Sequence, residues 1–494
     1  MTSVSVITLL AGCMTCVVHP AYGSAIANSV TIHLAQQSSP WVPVKMVVGG
    51  GVTPEYRPNE AEVAQLSLLG NRRLRLINID SRRVVRDSGG ALHVEWSPHL
   101  LEGLRYCRDH GWVPRIIIGQ TLLDSPGIGR PGADSSDSVF WAVYRRYIDA
   151  TVRYVVEEWG FRESEWEVGN EMDIPGENWV AGGTAGVGSD SLRFLSYMRM
   201  YREISSVIGE YKRGHPTIIL RIGGPAVSPG AFLNPQPSAN WTMRFVDEIS
   251  RDRSTLACDF VSFHLYGNSA SGREAVAGLE RLRARMAIDG ISLPISVSEW
   301  GASWLADASL NFTPLAGAFA LEFVRTVAAA GIDDAFFLAL REFPNKKWPV
   351  LFTATGSPTH TMLALRLLAE LQGSRAECSL DRPGGRCVAA VTGDSMRIVF
   401  WSLDWEAKRL PDRQFAPAGG TNQGLVIRVA SKLSSLRTAK PTELLVDGAS
   451  VGDSLVAIIM NEDSTLTARI GGIRTGPGSY GRLRMALSTA TLVK

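Results

Sequence analysis

The sequence lacks an excess of charge of one sign. Fifty Lys and Arg face 48 Asp and Glu, a formal net charge of +2. A balance that even does not draw a chain to nucleic acid or to an anionic membrane. Metal-ligand spacing is missing too. There is no HExxH, and no CxxC pair is repeated at zinc-like spacing among the six cysteines. The glycine fingerprint of a dinucleotide site is absent, because Gly49-Gly50-Gly51 lacks its spacing. Past the first residues, no run is long and apolar enough to cross a bilayer. No internal repeat or low-complexity segment interrupts the chain.

What is present fits a large globular protein. The chain has 494 residues, 45% hydrophobic and 20% charged, enough for one large domain and a smaller one. Thirteen tryptophans are many for this length. They serve core packing, or they stack on the apolar faces of sugars. Val4 to Val18 is apolar and small, and Ala21-Tyr22-Gly23 offers a cleavage site. Residues 1–25 therefore read as a signal peptide, although no Lys or Arg precedes the apolar run. Leu10-Ala11-Gly12-Cys13 gives the alternative of a lipoprotein leader anchored at Cys13. Either way the expected location is secreted, periplasmic or cell-surface. Cys378 and Cys387 flank the turn-forming Asp381–Gly385 and either pair as a disulfide or stay as thiols. Cys107 and Cys258 read as buried free thiols.

Residues 45–372 alternate eight short apolar runs with eight amphipathic stretches. The runs are Met46–Gly50, Leu74–Ile79, Val113–Gly119, Trp166–Glu171, Ile218–Gly223, Phe260–His264, Ile295–Glu299 and Ala335–Leu340. Asp190 or Ser191 is the expected cap of the fourth helix, and Thr313-Pro314 opens the seventh. Eight strand–helix units over this length predict an α/β fold, a (β/α)8 TIM barrel. Residues 373–494 change texture: short β runs separated by Gly, Asp, Asn and Pro turns predict a C-terminal antiparallel β-sandwich. Residues 26–44 are expected to add a strand to it. The long loops Leu122–Ser138 and Met172–Gly188 follow barrel strands, on the rim where substrate pockets form.

The chemistry concentrates at that rim. Glu171 closes the fourth strand run and Glu299 the seventh. The carboxyl ends of barrel strands share one face, so two distant glutamates can meet across a cleft. Facing carboxylates are what cleavage of a glycosidic bond requires. Asn170 is placed to donate to a substrate hydroxyl. Arg75 on the second strand, if it points into the barrel, would keep a glutamate ionised. His264 and Tyr266 end the sixth strand beside the seventh. Tyr266 is expected to hydrogen-bond one glutamate, and His264 to hold that glutamate or a sugar hydroxyl. Trp300, Trp304 and Trp348 are candidates for sugar stacking. Arg341, past the eighth strand, is a candidate partner for an acidic sugar. Asp173 and Glu177 read as solvated loop carboxylates or substrate contacts. Asn240-Trp241-Thr242 and Asn311-Phe312-Thr313 are glycosylation sequons. Gly448-Ala449-Ser450-Val451-Gly452 matches GxSxG, but it lies between two β runs and not before a helix.

Trp166–Asp173, Gly223-Gly224-Pro225-Ala226, Asp259–Tyr266 and Val297–Trp300 together resemble the clan A glycoside hydrolases. The nearest pattern is that of family 39, with β-xylosidases, α-L-iduronidases and exopolysaccharide hydrolases. The resemblance covers roughly residues 45 to 372. It implies Glu171 as acid/base, Glu299 as nucleophile, retention of anomeric configuration, and no metal or cofactor. One departure stands out. Met172 follows the acid/base glutamate where family 39 usually has Pro, and Gly169–Asp173 is similar to family 51 arabinofuranosidases. The expectation is thus a retaining glycoside hydrolase acting on an extracellular or cell-wall poly- or oligosaccharide. An arabinofuranosidase-like exo-enzyme and a non-catalytic polysaccharide-binding protein are the alternatives.

Overall fold

The computed structural model describes the backbone of residues 6–10, 13–17, 28–34, 45–49, 58–70, 72–76, 83–86, 92–119, 138–175, 189–267, 273–302, 309–342, 348–371, 374–380, 385–392, 395–402, 425–431, 436–446, 449–451, 456–460, 465–470 and 480–489. Side-chain surroundings are described for most of residues 58–401 within these stretches. The chain divides into two compact units. One comprises Val44–Trp304 and Val327–Gly356; the other comprises Met1–Pro43, Leu305–Thr326 and Ser357–Lys494.

The first unit holds a closed barrel of eight strands. They are β1 (Lys45–Gly49), β2 (Arg73–Leu76), β3 (Val113–Ile118), β4 (Glu163–Val168), β5 (Ile219–Val227), β6 (Phe260–Tyr266), β7 (Ile295–Gly301) and β8 (Asp334–Phe337). Every neighbouring pair is parallel, and β8 closes on β1 with Asp334 opposite Lys45. In chain order each strand is followed by helix: α1 (Glu60–Leu68), α2 (Pro98–His110), α3 (Ser138–Arg153), α4 (Asp190–Gly214), α5 (Pro229–Leu233) with α6 (Trp241–Arg251), α7 (Arg273–Ile288), α8 (Pro314–Ala329) and α9 (His360–Ala369). This is the (β/α)8 order expected from the alternation.

Local chemistry sets the helix ends. Ser97 accepts from Leu100 N–H ahead of Pro98, and Gly111 ends α2 in the left-handed region. The fourth helix is capped by Ser189, not by Asp190 or Ser191. Asp190 instead accepts from Trp241 Nε1 and Arg244 Nη1, both at 2.7 Å, so its carboxylate is committed elsewhere.

Alternation along the strands decides what fills the barrel. Trp166 and Val168 are buried on one parity of β4, while Glu165 and Glu167 occupy the other. The second set meets Arg115 of the neighbouring β3 and Arg75 of β2, and Arg115 also reaches Ser296 on β7 and Asp334 on β8, which is feasible only through the interior. A lower layer centres on Arg115. It donates to Glu165 at 2.7 Å, Ser296 at 2.5 Å and Asp334 at 3.0 Å. The rings of Phe260 and Phe336 lie 4.5 and 4.1 Å from its guanidinium carbon. An upper layer, reached by Glu167 one inward position beyond Glu165, centres on Arg75, the register partner of Arg115 on β2. Barrels are ordinarily filled by branched apolar side chains, so two ionic layers are unusual.

The other unit contains a sheet of twelve strands. Neighbours are antiparallel except Asn28–Leu34 with Leu425–Ser431, which run parallel. Ser374–Leu380 changes partner along its length: Ser374, Arg375 and Ala376 pair with Gly385–Thr392, and Glu377 onward with Asn28–Leu34. Cys387 is disulfide-bonded, whereas Cys107 and Cys258 are free thiols as expected. Within this unit Glu322 accepts from Trp401 Nε1 at 3.0 Å and from Arg325 Nη2 at 2.5 Å. Of the GxSxG match, Ala449–Val451 is itself a strand with Ala449 opposite Val446, and among the described residues the next element is the strand Val456–Met460, not the helix a nucleophile elbow demands; Gly448 and Gly452 lie outside the described residues.

Candidate active site

The site forms where β2, β4, β6 and β7 end. Sequence alternation placed Glu171 on the last position of a strand, but β4 stops at Val168. Gly169 ends it at φ +78°, where a Cβ would come within 2.7 Å of Met172. Glu171 follows at φ +48°, a left-handed conformation that costs a non-glycine residue about 1–2 kcal/mol. Neighbouring bonds hold it there. Glu171 N–H donates to Ala226 O at 2.8 Å, and Ile174 N–H donates to Glu171 O at 3.0 Å. Ser228 ties the same turn to the end of β5, donating its N–H and hydroxyl to Asp173 at 3.0 and 2.5 Å. Asp173 is thus a structural clamp. Glu177 lies outside the described residues.

Glu299 lies inside β7, opposite His264, where the register with β6 shifts. One carboxylate oxygen of Glu171, one of Glu299 and a His264 ring nitrogen all lie within 4.8 Å of one another. The two glutamates sit differently: the Glu171 side chain is 19% exposed, that of Glu299 is 9%. Arg75 is wholly buried and points into the barrel. Its Nη1 donates to Glu299 Oε1 at 2.5 Å, its Nη2 to Asn170 Oδ1 at 2.8 Å, and its Nε to Glu167 Oε2 at 2.5 Å. Tyr266 donates its hydroxyl to the other oxygen of Glu299 at 2.7 Å. His264 Nδ1 lies 2.9 Å from Glu171 Oε1 and 3.6 Å from Glu299 Oε2. Its Nε2 is buried, with no hydrogen-bond partner among the described residues.

These contacts give each group a charge state. Burial works against ionised Glu299, but His264, Arg75 and the Tyr266 hydroxyl outweigh it and hold its pKa below the ordinary carboxylate range. Burial also pulls His264 down. The Glu299 and Glu171 carboxylates more than reverse that and raise its pKa. Burial, then Glu299 and Glu171, pushes the Tyr266 phenol well up and keeps it a donor. Asp173 is raised by burial despite its bonds from Ser228.

Glu171, His264 and Glu299 are spaced to hold a cation. The charges argue against that use. Both Glu299 oxygens are already bonded, one by a guanidinium that would repel the ion, and the raised His264 favours a proton over a metal.

The structure thus brings together Glu171, Glu299, Asn170, Arg75, His264 and Tyr266. The aromatic and distal candidates fare differently. Trp300 is 1% exposed and packs edge-on against Phe337, 4.8 Å between centroids, so its ring fills the core. Trp348 is half-buried ahead of Val350–Phe352, and Trp304 lies outside the described residues. Arg341 is ion-paired with Glu62 of α1, which answers its charge from within the protein. Both sequon asparagines are buried at 1% exposure, and Asn240 caps α6, so neither is presented for glycosylation. Sequence reasoning missed Glu167 and the Asp173–Ser228 clamp. Strand parity was the available signal for Glu167, since it shares an interior face with Glu165, and Arg75, two strands away on β2, faces the same interior.

No family profile matches the chain, and no curated protein sequence matches it. Solved structures do. The GH39 enzyme (glycoside hydrolase family 39) from Xanthomonas axonopodis pv. citri superposes with a TM-score of 0.64 at 16% identity, covering 94% of this chain and 98% of that one. A monomeric β-xylosidase from Caulobacter crescentus CB15 gives 0.63 at 17% identity, with 92% and 99% covered. A glucosidase from Croceicoccus marinus gives 0.60 at 16%, with 93% and 99% covered. What they share with this chain is the (β/α)8 barrel fold. Within it, the structural neighbours include the family 39 enzymes that the motifs resemble.

Proposed function

We propose that this protein is a retaining glycoside hydrolase with Glu171 as acid/base and Glu299 as nucleophile. The observation that carries the reading is the close approach of the two carboxylates, within 4.8 Å, with Glu299 held ionised by Arg75 and Tyr266. Retaining enzymes keep their carboxyls about 5–5.5 Å apart, and inverting ones about 6.5–9.5 Å to admit a water. In the first step Glu299 bonds to the anomeric carbon as the bond to the leaving oxygen breaks. Glu171 gives that oxygen its proton. His264 engages Glu171 Oε1, so the transferred proton belongs on Oε2. In the second step Glu171 takes a proton from water, which attacks the anomeric carbon and releases Glu299.

The substrate we propose is a glycoside of a pentose or hexose from a poly- or oligosaccharide, in keeping with the β-xylosidase and glucosidase among the structural neighbours. The apolar leader supports an exported location for the same activity. Among the described residues, no helix is long and apolar enough to cross a membrane. The roles are tested on aryl glycosides. Glu299→Gly should lose hydrolysis, and added azide should restore aryl release as the glycosyl azide of inverted configuration. A fully active Glu299→Gly would overturn the assignment. An aryl xyloside, glucoside and arabinofuranoside panel decides the sugar.

A further inference from the structure

Arg75 gives its guanidinium nitrogens to three different side chains, and Glu167 is the one with no place in the two-glutamate reaction. Glu167 is fully buried beneath the rim, at 0% exposure. Desolvating a carboxylate costs several kcal/mol, so a barrel interior that retains one calls for a reason. Arg75, then Arg115 and His264, offset burial and hold Glu167 ionised.

Two properties of the contact supply the reason. The first is geometric. A guanidinium is a planar, rigid fork. Fixing the Nε edge on Glu167 fixes the directions in which Nη1 meets Glu299 and Nη2 meets Asn170. The second is electrostatic. When a Glu299 oxygen bonds to the anomeric carbon, its carboxylate becomes a neutral ester. The leaving oxygen takes the proton of Glu171, so the negative charge moves to Glu171. Arg75 then faces an ester, and a buried guanidinium without an anionic partner is strongly unfavourable. Glu167 is the carboxylate that stays beside it.

We propose that Glu167 is a positioning residue of the reaction: it aims Arg75 at Glu299 and remains its ionic partner while Glu299 is esterified. The inference rests on the reading of Glu299 as nucleophile.

The test uses the full-length chain and an aryl glycoside that the native enzyme hydrolyses. Glu167→Gln keeps the shape and an acceptor oxygen but removes the charge; Glu167→Asp keeps the charge. For Glu167→Gln, kcat should fall on the order of 100-fold, with KM changed by less than about threefold. The acid limb of kcat/KM should move down by about one pH unit, because Arg75 then acts undivided on Glu299. Glu167→Asp should recover part of kcat and return the limb toward its native position. An unmoved limb with native kcat in Glu167→Gln overturns the proposal. So does equal loss in the Gln and Asp variants with no shift of the limb, which marks a packing role alone. Glu299→Ala is assayed beside them. If it keeps native turnover, the nucleophile reading itself fails. If it is inactive while Glu167→Gln is native-like, only the role of Glu167 fails.

Discussion

The Tyr266 hydroxyl donates to Glu299 Oε2 across 2.7 Å, with the phenol buried and its pKa raised. This bond and the one from Arg75 divide the two Glu299 oxygens between a neutral and a charged donor. Removing the neutral one leaves the pair with Arg75 intact. Tyr266→Phe should therefore fold normally and lower kcat by on the order of 10- to 100-fold. The Tyr266 bond stabilises ionised Glu299, so its loss raises that pKa. The acid limb of kcat/KM should move to higher pH, opposite to the shift expected for Glu167→Gln. A pH–rate profile on an aryl glycoside measures both directions.

His264 links stability to pH. Its folded pKa lies above its unfolded value, because Glu299 and Glu171 overcome burial. Such a group contributes stability that is complete below the unfolded value, about 6.5, and is lost as pH rises through the folded one. Native protein should thus lose thermal stability as pH rises above about 6.5 more steeply than His264→Gln, which carries no titrating group there. Calorimetric melts of both proteins across that range decide it. Parallel curves would mean that the His264 pKa is unchanged on folding, and a native curve rising relative to His264→Gln would mean that the ring is held neutral in the fold.

The turn that presents Glu171 depends on a contact outside the reaction pair. Asp173 receives both the N–H and the hydroxyl of Ser228. Asp173→Ala removes both acceptors and should cost about 1–3 kcal/mol of stability. It should also lower kcat more than it raises KM, because the freed turn lets Glu171 leave its left-handed conformation. Asp173→Asn keeps one acceptor oxygen and should retain most of the activity. Chemical denaturation with steady-state kinetics on both variants separates the two effects. An Asp173→Ala enzyme with native kcat would show that the Ala226 bond alone positions Glu171.

The barrel was legible because its signals are periodic. All eight apolar runs became strands, and Arg75, Glu171, His264, Tyr266 and Glu299 fell near strand ends, where the fold gathers them. Boundaries were less legible. Gly169 ended β4 early, an effect of one backbone angle that an apolar run conceals. Trp300 illustrates a second limit: its position beside Glu299 suggested sugar contact, but the alternation of β7 turns the ring onto Phe337. Glu167 was overlooked because a glutamate in a strand reads as solvated unless its parity is compared with that of Arg75, two strands away on β2. Asp190 or Ser191 is the cap the sequence suggests, but the Asp190 carboxylate is committed to Trp241 and Arg244, and Ser189 serves instead.

Arg341 shows how a tertiary partner changes a prediction. In sequence it is a cation past the last barrel strand, suited to an acidic sugar. In the structure Glu62, 2% exposed, faces its guanidinium and also accepts from Asn59 N–H in the capping box of α1. Removing one member of a buried pair strands the other, at a cost of about 3–5 kcal/mol. Glu62→Ala and Arg341→Ala should each lower the melting temperature substantially, and the double variant should lose less than the sum. If the pair is structural, Arg341→Gln should leave the ratio of kcat/KM for a uronide and the matching neutral glycoside unchanged. A selective loss on the uronide would instead return Arg341 to the substrate, because a guanidinium answered only by Glu62 has no reason to distinguish the two sugars.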